Sequence, residues 1–375
     1  SIVGIFMFGI QTYFLSKALG YLIRISIFSI DNSLLDQEIF LTFLLGLNII
    51  DWTSFSGVII FQALMFSVGI QFNKKLINIS AITVYVGMII FFFVVFLSDA
   101  KVTSKAFINI LDFKNFLDIN NLVPLLTVAG TIFTYFSIII LSFGDYSRYV
   151  KDEKSLKKGN LSLILNLIIF SFFAVFIVIG SDTFLNQKFE DLDRIFTNPT
   201  DIIGKFDNLQ ITIVVLFFII VASASTNLVA NFIPSQYSLI NFIPSKLTLK
   251  SASYIISIIG FLIGIFWLTF LSQIGILSFI DTFGAFFGPL FGVIIVDYYL
   301  IKKSSLSNKD IYSVEADSVY YYSKGWHIKA LYSLIIGFIF SASTIWNINL
   351  MFLQSYAWII GAIVSSITYY LLAKR

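Results

Sequence analysis

Long apolar runs, nearly free of charge, dominate this chain and constrain its fold more than any motif does. About 20 predominantly apolar residues carry a helix across the hydrocarbon core of a bilayer. Ten stretches read as such spans: Ser1–Ile23, Phe55–Phe72, Ala81–Leu97, Leu122–Phe143, Leu161–Gly180, Ile211–Asn231, Ala252–Leu271, Ile276–Leu300, Ala330–Trp346 and Met351–Leu372. Strands of a membrane barrel alternate apolar and polar residues and would not give such continuous runs. The expected fold class is therefore an all-α polytopic membrane protein. Composition agrees, since 58% of the 375 residues are hydrophobic and only 12% are charged, against about 25% charged in soluble domains. Ile39–Leu47 is too short to span and reads as an interfacial or re-entrant helix before the second crossing.

The loops carry their charge unevenly. One set holds Lys74, Lys75, Arg148, Lys151, Lys154, Lys157, Lys158, Lys246, Lys250, Lys302, Lys303, Lys309, Lys324, Lys329, Lys374 and Arg375. The opposite set holds Arg24, Lys101, Lys105, Lys114, Lys188, Arg194 and Lys205, diluted by acidic residues. Cytoplasmic loops are enriched in Lys and Arg, and the bias here is about two to one. It places both chain ends and the loop 302–327 in the cytoplasm, with the protein in the inner or plasma membrane. The chain opens at Ser1, already inside an apolar run and without a basic flank, and is expected to be N-terminally incomplete rather than to carry a secretory signal.

Composition also excludes chemistry. Without cysteine there are no disulfides, thiolate metal sites or cysteine nucleophiles. A single histidine, His327, removes histidine-cluster metal sites and Ser/His/Asp hydrolases, and it reads as a solvated loop residue. The net charge of +3 is spread over loops and points to no nucleic-acid partner. No convergent acids, bases or metal ligands stand at membrane depth, so no enzymatic activity and no cofactor are expected. Nor is there the repeated polar stripe or charged ring of a channel.

Polar residues inside the spans are the informative ones. Gln11 and Thr12 stand in the first span, where Gln11 suits either a planar polar ligand or an interhelical hydrogen bond. Lys17, less than two turns later, is expected to snorkel to the outer interface. In the sixth span Ala222, Ser225 and Thr226 fall on one helix face. Two hydroxyls and a carbonyl beside a small residue offer hard oxygen donors to a small cation, and equally suit a small-residue helix seam. Asp145 and Arg148, at i and i+3 beyond the fourth span, read as a structural latch at the interface. Asp281 and Asp297 flank the eighth run, Asp297 as an interfacial cap, and Gly284, Gly288, Pro289 and Gly292 between them permit a break or close packing.

These stretches resemble the nucleobase–cation symporter-1 family, the purine, pyrimidine, allantoin and hydantoin permeases. Phe143-Gly144-Asp145-Tyr146-Ser147-Arg148-Tyr149 looks like the motif closing that family's sixth span, and Phe8-Gly9-Ile10-Gln11-Thr12 like its third-span pattern. Ser225-Thr226-Asn227 through Ala230-Asn231, with Pro234, Tyr237 and Asn241 to Pro244, is similar to the eighth span and its exit. Gly284 to Pro289 with Asp297 to Leu300 resembles the tenth span, and Tyr356 to Leu372 the terminal one. The motifs occur in the family's order along nearly the whole chain.

The resemblance implies a leucine-transporter-like inverted-repeat fold of twelve spans, of which the ten read here are the third to twelfth, in one transmembrane domain over 1–375. It implies a monomeric transport unit in the bilayer. That unit imports a nucleobase or related small planar heterocycle with a coupled cation, sodium or proton, by alternating access. Carried over by motif, the Ala222 carbonyl and the Ser225 and Thr226 hydroxyls are sodium ligands, and Gln11 and Asn231 bond the substrate's ring edge. On a regular helix Asn231 would point about 140° away from Thr226. Two stacking positions that the family fills with Trp are Met7 and Phe136 here, with Tyr135 beside the latter. That leaves a softer platform, and with it a different ring compound such as a vitamin-like heterocycle; a transport-incompetent fragment is the other alternative.

Overall fold

The computed structural model describes residues 2–110, 118–188, 199–206, 208–267, 276–307, 309–313 and 315–374. Eleven long segments carry the described architecture and are numbered in chain order. They begin with α1 (Ile2–Ile30), α2 (Ile49–Ser67), α3 (Ile70–Ser98), α4 (Ala100–Ile110) and α5 (Ile119–Leu141). Next come α6 (Glu153–Lys188), α7 (Leu209–Phe242), α8 (Leu249–Phe266) and α9 (Ile276–Ile295). The last are α10 (Ile328–Trp346) and α11 (Ala357–Ala373), the latter entered through a 3₁₀ segment, Ile348–Tyr356. Among the described residues nine helices are long and apolar enough to cross a membrane, and no strand forms, only isolated bridges. The tenth expected span corresponds to α5, whose 23 residues exceed the crossing length.

Several boundaries depart from expectation, each for a local reason. The second span was expected to run through Phe72, but the helix stops at Ser67 and a new one starts at Ile70. Gly69 between them has φ +127°, a region closed to side chains bearing a Cβ. Lys74 and Lys75 therefore lie in the opening turns of α3 and not in a loop. The helix expected over Ile39–Leu47 is a single turn, Glu38–Leu41. Left-handed Leu45 and Gly46 (φ +54° and +78°) then reverse the chain.

The chain divides into two compact units, residues 1–113 with 145–273 and residues 114–144 with 274–375. In the first, α1 is the central helix. Ala18 packs with Phe91 and Val95 of α3, Ile177 of α6, Ile202 and Ile203 of a short helix (Pro199–Ile203), and Val215 and Leu216 of α7. Close approach joins α1 to α8. A Cβ on Gly9 would come within 2.5 Å of the Gly260 carbonyl, and Phe8 covers Gly260. The start of α2 is tied to α1 by charge. Asn48 and Asp51 form a reciprocal capping box, and buried Asp51 takes Arg24 at 3.0 Å and Lys17 at 3.5 Å. Lys17 thus reaches Asp51 in the first turn of α2 and lies 5.1 Å from the Tyr13 ring. An uncompensated carboxylate there would be costly, and the pair of cations removes that cost.

In the second unit α9 packs on α11 and α10 through small residues. A Cβ on Gly288 would collide with the Trp358 carbonyl, and one on Gly292 with the Ala362 carbonyl. Pro289 lies inside α9 and has no N–H to give the carbonyl four residues earlier, Ala285 O. Ser341 of α10 supplies that hydrogen bond at 2.7 Å, and Ser365 of α11 donates to Pro289 O at 2.9 Å. A break that would expose backbone to lipid is thereby satisfied inside the unit.

Candidate functional site

The first unit holds a chain of amides and hydroxyls inside its spanning helices. Asn231 Nδ2 donates to Gln11 Oε1 at 2.7 Å and to Asn227 Oδ1 at 2.9 Å. Asn227 Nδ2 donates in turn to Thr12 Oγ1 at 2.9 Å and to Phe8 O at 3.3 Å. Thr12 reaches Gln62 Oε1 at 2.8 Å, and Gln11 Nε2 donates to Ser223 O at 3.3 Å. Gln62 Nε2 is buried and unpartnered among the described residues. A backbone carbonyl can only accept, so Phe8 O fixes which end of the Asn227 amide faces it. The polarity then propagates: Asn227 presents its oxygen to Asn231, which presents its nitrogen to Gln11.

Counting bonds gives what remains. Both Nδ2 hydrogens of Asn231 are used, and its Oδ1 accepts from no described residue. One Gln11 N–H goes to Ser223 O and the other has no acceptor among the described residues. The pair therefore retains one acceptor and one donor. Met7 lies one turn before Gln11 on α1, half-buried.

A second cluster lies one turn earlier on α7. Ser225 Oγ and Thr226 Oγ1 both donate to Ala222 O, at 3.0 and 2.9 Å. Each hydroxyl can rotate its hydrogen away and offer a lone pair, so three hard, neutral oxygens converge on one point, a donor set suited to a small monovalent cation. Among the described residues no group of three or more His, Cys, Asp or Glu could hold a metal.

The two clusters are linked by backbone that sequence reasoning missed. Asn227–Phe232 is a π segment within α7, with i to i+5 bonds and a wider turn. The 140° offset expected for a regular helix does not apply, and Asn231 lies over Asn227. Pro234 was the available signal, since it lacks an N–H and its ring crowds the carbonyl of Ala230, which favours a widened turn before it. A second π segment, Val296–Ile301, continues α9 and carries Asp297.

Beyond the spans, Asp145 and Arg148 pair at 2.8 Å. Arg148 also covers the Tyr237 ring at 4.6 Å, and the Tyr237 and Tyr149 hydroxyls bond to each other. Lys74 sits 5.0 Å over Tyr149, so residues 145–149 bind the end of α7 and the start of α3. Burial raises the Asp145 pKa from its ordinary value, and Arg148 opposes the rise.

The second unit holds Phe136, half-buried, and Tyr135, 49% exposed, side by side on α5 with their rings edge to face at 5.4 Å. It also anchors His327, contrary to the solvated loop residue expected. Tyr369 Oη donates to Asp297 Oδ1 at 2.6 Å, so it accepts from His327 Nε2 at 2.8 Å. Asp297 holds Lys302 at 3.1 Å, Lys302 bonds Tyr322 Oη at 3.1 Å, and Tyr322 stacks on the imidazole at 3.9 Å. Asp297 is thus the hub of a relay between helix and loop and more than a cap.

Burial lowers the His327 pKa below its ordinary value; Asp297 opposes this, and Lys302 and Lys329 reinforce it. The folded protein therefore keeps His327 neutral while the unfolded chain takes a proton near pH ~6.5. Stability is expected to fall as pH drops through that value toward the lower folded pKa, and not further below it on this account. His327→Gln, which keeps an N–H for Tyr369 but does not titrate, should flatten the loss. Unfolding temperature of the detergent-solubilised protein measured against pH, for both proteins, checks this.

Residues 1–370 match a family model described as permease for cytosine/purines, uracil, thiamine, allantoin. A purine-uracil permease of Arabidopsis thaliana is 27% identical over 206 residues, covering 55% of this chain and 33% of its own length. An allantoin permease of Bacillus subtilis (strain 168) is 26% identical over 237 residues, 63% of this chain and 46% of its own. The chain thus spans between a third and a half of these relatives. Among solved structures, Mhp1, a nucleobase-cation-symport-1 family transporter in a closed conformation with bromovinylhydantoin bound, aligns with TM-score 0.71 and 17% identity. That alignment covers 100% of this chain and 74% of the other, and it shows the expected leucine-transporter-like fold.

Proposed function

The chain belongs to the family of permeases for cytosine/purines, uracil, thiamine and allantoin, and on that premise we propose that it imports a small planar heterocycle together with a cation. It is a polytopic membrane protein of a transporter family and not an enzyme. The observation that carries the substrate class is the donor and acceptor left over by the amide chain. Asn231 Oδ1 and one Gln11 N–H complement a ring edge that places an N–H beside a C=O, as cyclic amides and imides do. Their orientation is set before the ligand arrives, because Asn231 Nδ2 and both ends of the Asn227 amide are already bonded. Preorganisation of that kind lowers the cost of binding. Met7 beside Gln11 gives a sulfur–ring contact.

The coupling cation sits on Ala222 O, Ser225 Oγ and Thr226 Oγ1. It and the substrate are carried on neighbouring turns of α7, so each biases the same helix, and the linkage is reciprocal. The chain acts as one transport domain and a monomeric unit in the cell membrane, with both ends and the loop 302–327 cytoplasmic by the positive-inside rule. The test is radiolabelled uptake of uracil, cytosine, allantoin, hydantoin and thiamine into proteoliposomes holding the complete gene product, with and without sodium and pH gradients. Gradient-driven uptake of one ring compound is the expected result. Protein shown to be folded that takes up and binds none of them overturns the reading.

A further inference from the structure

The second unit contains a buried carboxylate that the site above does not use. Asp281 of α9 is only 3% exposed. Its Oδ2 accepts from Gln354 Nε2 at 2.9 Å, while its Oδ1 is buried and has no partner among the described residues. The elements packed against α9 are α5, α10, α11 and the π segment that follows α9, and the 3₁₀ segment before α11 meets it through Gln354. Their titratable and charged groups are Tyr135 on α5, Tyr356 on the 3₁₀ segment, Lys329 and Tyr332 on α10, and Tyr369, Tyr370 and adjacent Lys374 on α11. The π segment adds Asp297, Tyr298 and Tyr299. Every charged member of that set belongs to the Asp297 end, since Asp297 bonds Tyr369. Asp281 precedes Asp297 by 16 residues, about 24 Å along a helix axis. None of these elements brings it a cation.

A carboxylate in apolar surroundings with one hydrogen bond and no counter-ion lowers its free energy by taking a proton. Once water reaches Oδ1, the ionised form is solvated and the proton leaves. The protonation state is thereby tied to whether α9 and its neighbours keep this pocket closed, which is the differential binding that coupling requires.

We propose that Asp281 is a proton-binding site that links transport to the proton gradient, in addition to the cation position on α7. One proton adds to the carboxylate from water on the entry side and returns to water on the other, with no other bond changed. The proposal rests on the transport reading, and its test separates the two. In purified wild-type protein at neutral pH, infrared spectroscopy should show the carbonyl band of a buried carboxylic acid, and Asp281→Asn should remove it; this needs no substrate. In proteoliposomes, with uracil, allantoin and hydantoin as probes, a proton gradient should support accumulation up to about tenfold per pH unit for one coupled proton. Asp281→Asn should abolish that accumulation while leaving substrate exchange at equal pH. Asp281→Glu should restore a pH response and serves if the Asn variant does not fold.

A wild-type spectrum without the band, or pH-driven accumulation unchanged in Asp281→Asn, would mean that Asp281 merely anchors Gln354, and overturns the proposal. Accumulation driven only by sodium overturns it too, while leaving the transport reading intact. Absence of both binding and exchange of every probe in folded wild-type protein instead counts against the transport reading, and the infrared band still decides the site.

Discussion

Asn231→Ala is expected to raise the substrate half-saturation concentration by about ten- to a hundredfold, with the cation dependence close to wild type. Asn231 gives up two hydrogen bonds, to Gln11 Oε1 and Asn227 Oδ1, and its Oδ1 is the acceptor proposed to meet the ligand. Removing it leaves Gln11 Oε1 without that donor and takes away one side of the donor–acceptor pair. An unmet polar group of this kind costs about 1–3 kcal/mol, and each ~1.4 kcal/mol is tenfold in affinity. Asn231→Asp tests orientation as well as contact. A carboxylate keeps the oxygens but cannot donate to either amide partner, so it too should bind weakly. Uptake kinetics at saturating cation, with thermal stability measured alongside, give the readout. A half-saturation constant within twofold of wild type in both variants would remove Asn231 from the binding position.

The fold was legible because its signal is coarse. Apolar runs long enough to span a bilayer do not depend on exact boundaries, and the motifs from Phe8 to Thr12 and from Ser225 to Asn231 are contiguous. What was not legible is where the helix departs from its regular geometry. Gly69 ends one helix and starts the next within two residues, although the apolar run continues across it. The π segment at Asn227–Phe232 alters the phase of every residue after it, so reasoning at 100° per residue misplaced Asn231. Long-range partners were equally hidden. Asn227 meets Thr12 across 215 positions and Thr12 meets Gln62 across 50, and no periodicity argument pairs helices. Lone polar residues in apolar spans, such as Gln62, were the available hint. His327 was misjudged because a hydrophilic loop reads as solvated. Its ring is held instead by Tyr322 and Tyr369, from either side of α10 in sequence.

Thr226→Ala is expected to raise the cation concentration needed for half-maximal uptake by about tenfold or more, with the substrate constant unchanged once cation is saturating. Among the described residues the Thr226 hydroxyl donates only to Ala222 O, one turn back on its own helix. Such bonds add little to helix stability, so its loss should leave folding intact and isolate the ligand effect. A hydrogen-bonding or coordinating group facing a full charge contributes about 1.5–3 kcal/mol, which sets the expected size. Thr226→Ser keeps the oxygen and should restore most of the cation affinity, which a packing role for the Thr methyl would not allow. Reciprocity adds a second readout. Below saturating cation, Thr226→Ala should also weaken substrate binding, by no more than the factor by which cation strengthens it in wild type. Titrating sodium at fixed substrate, and substrate at fixed sodium, measures both factors. If the sodium dependence of Thr226→Ala matches wild type, the oxygen cluster is a helix seam. The sodium ion would then have to bind elsewhere.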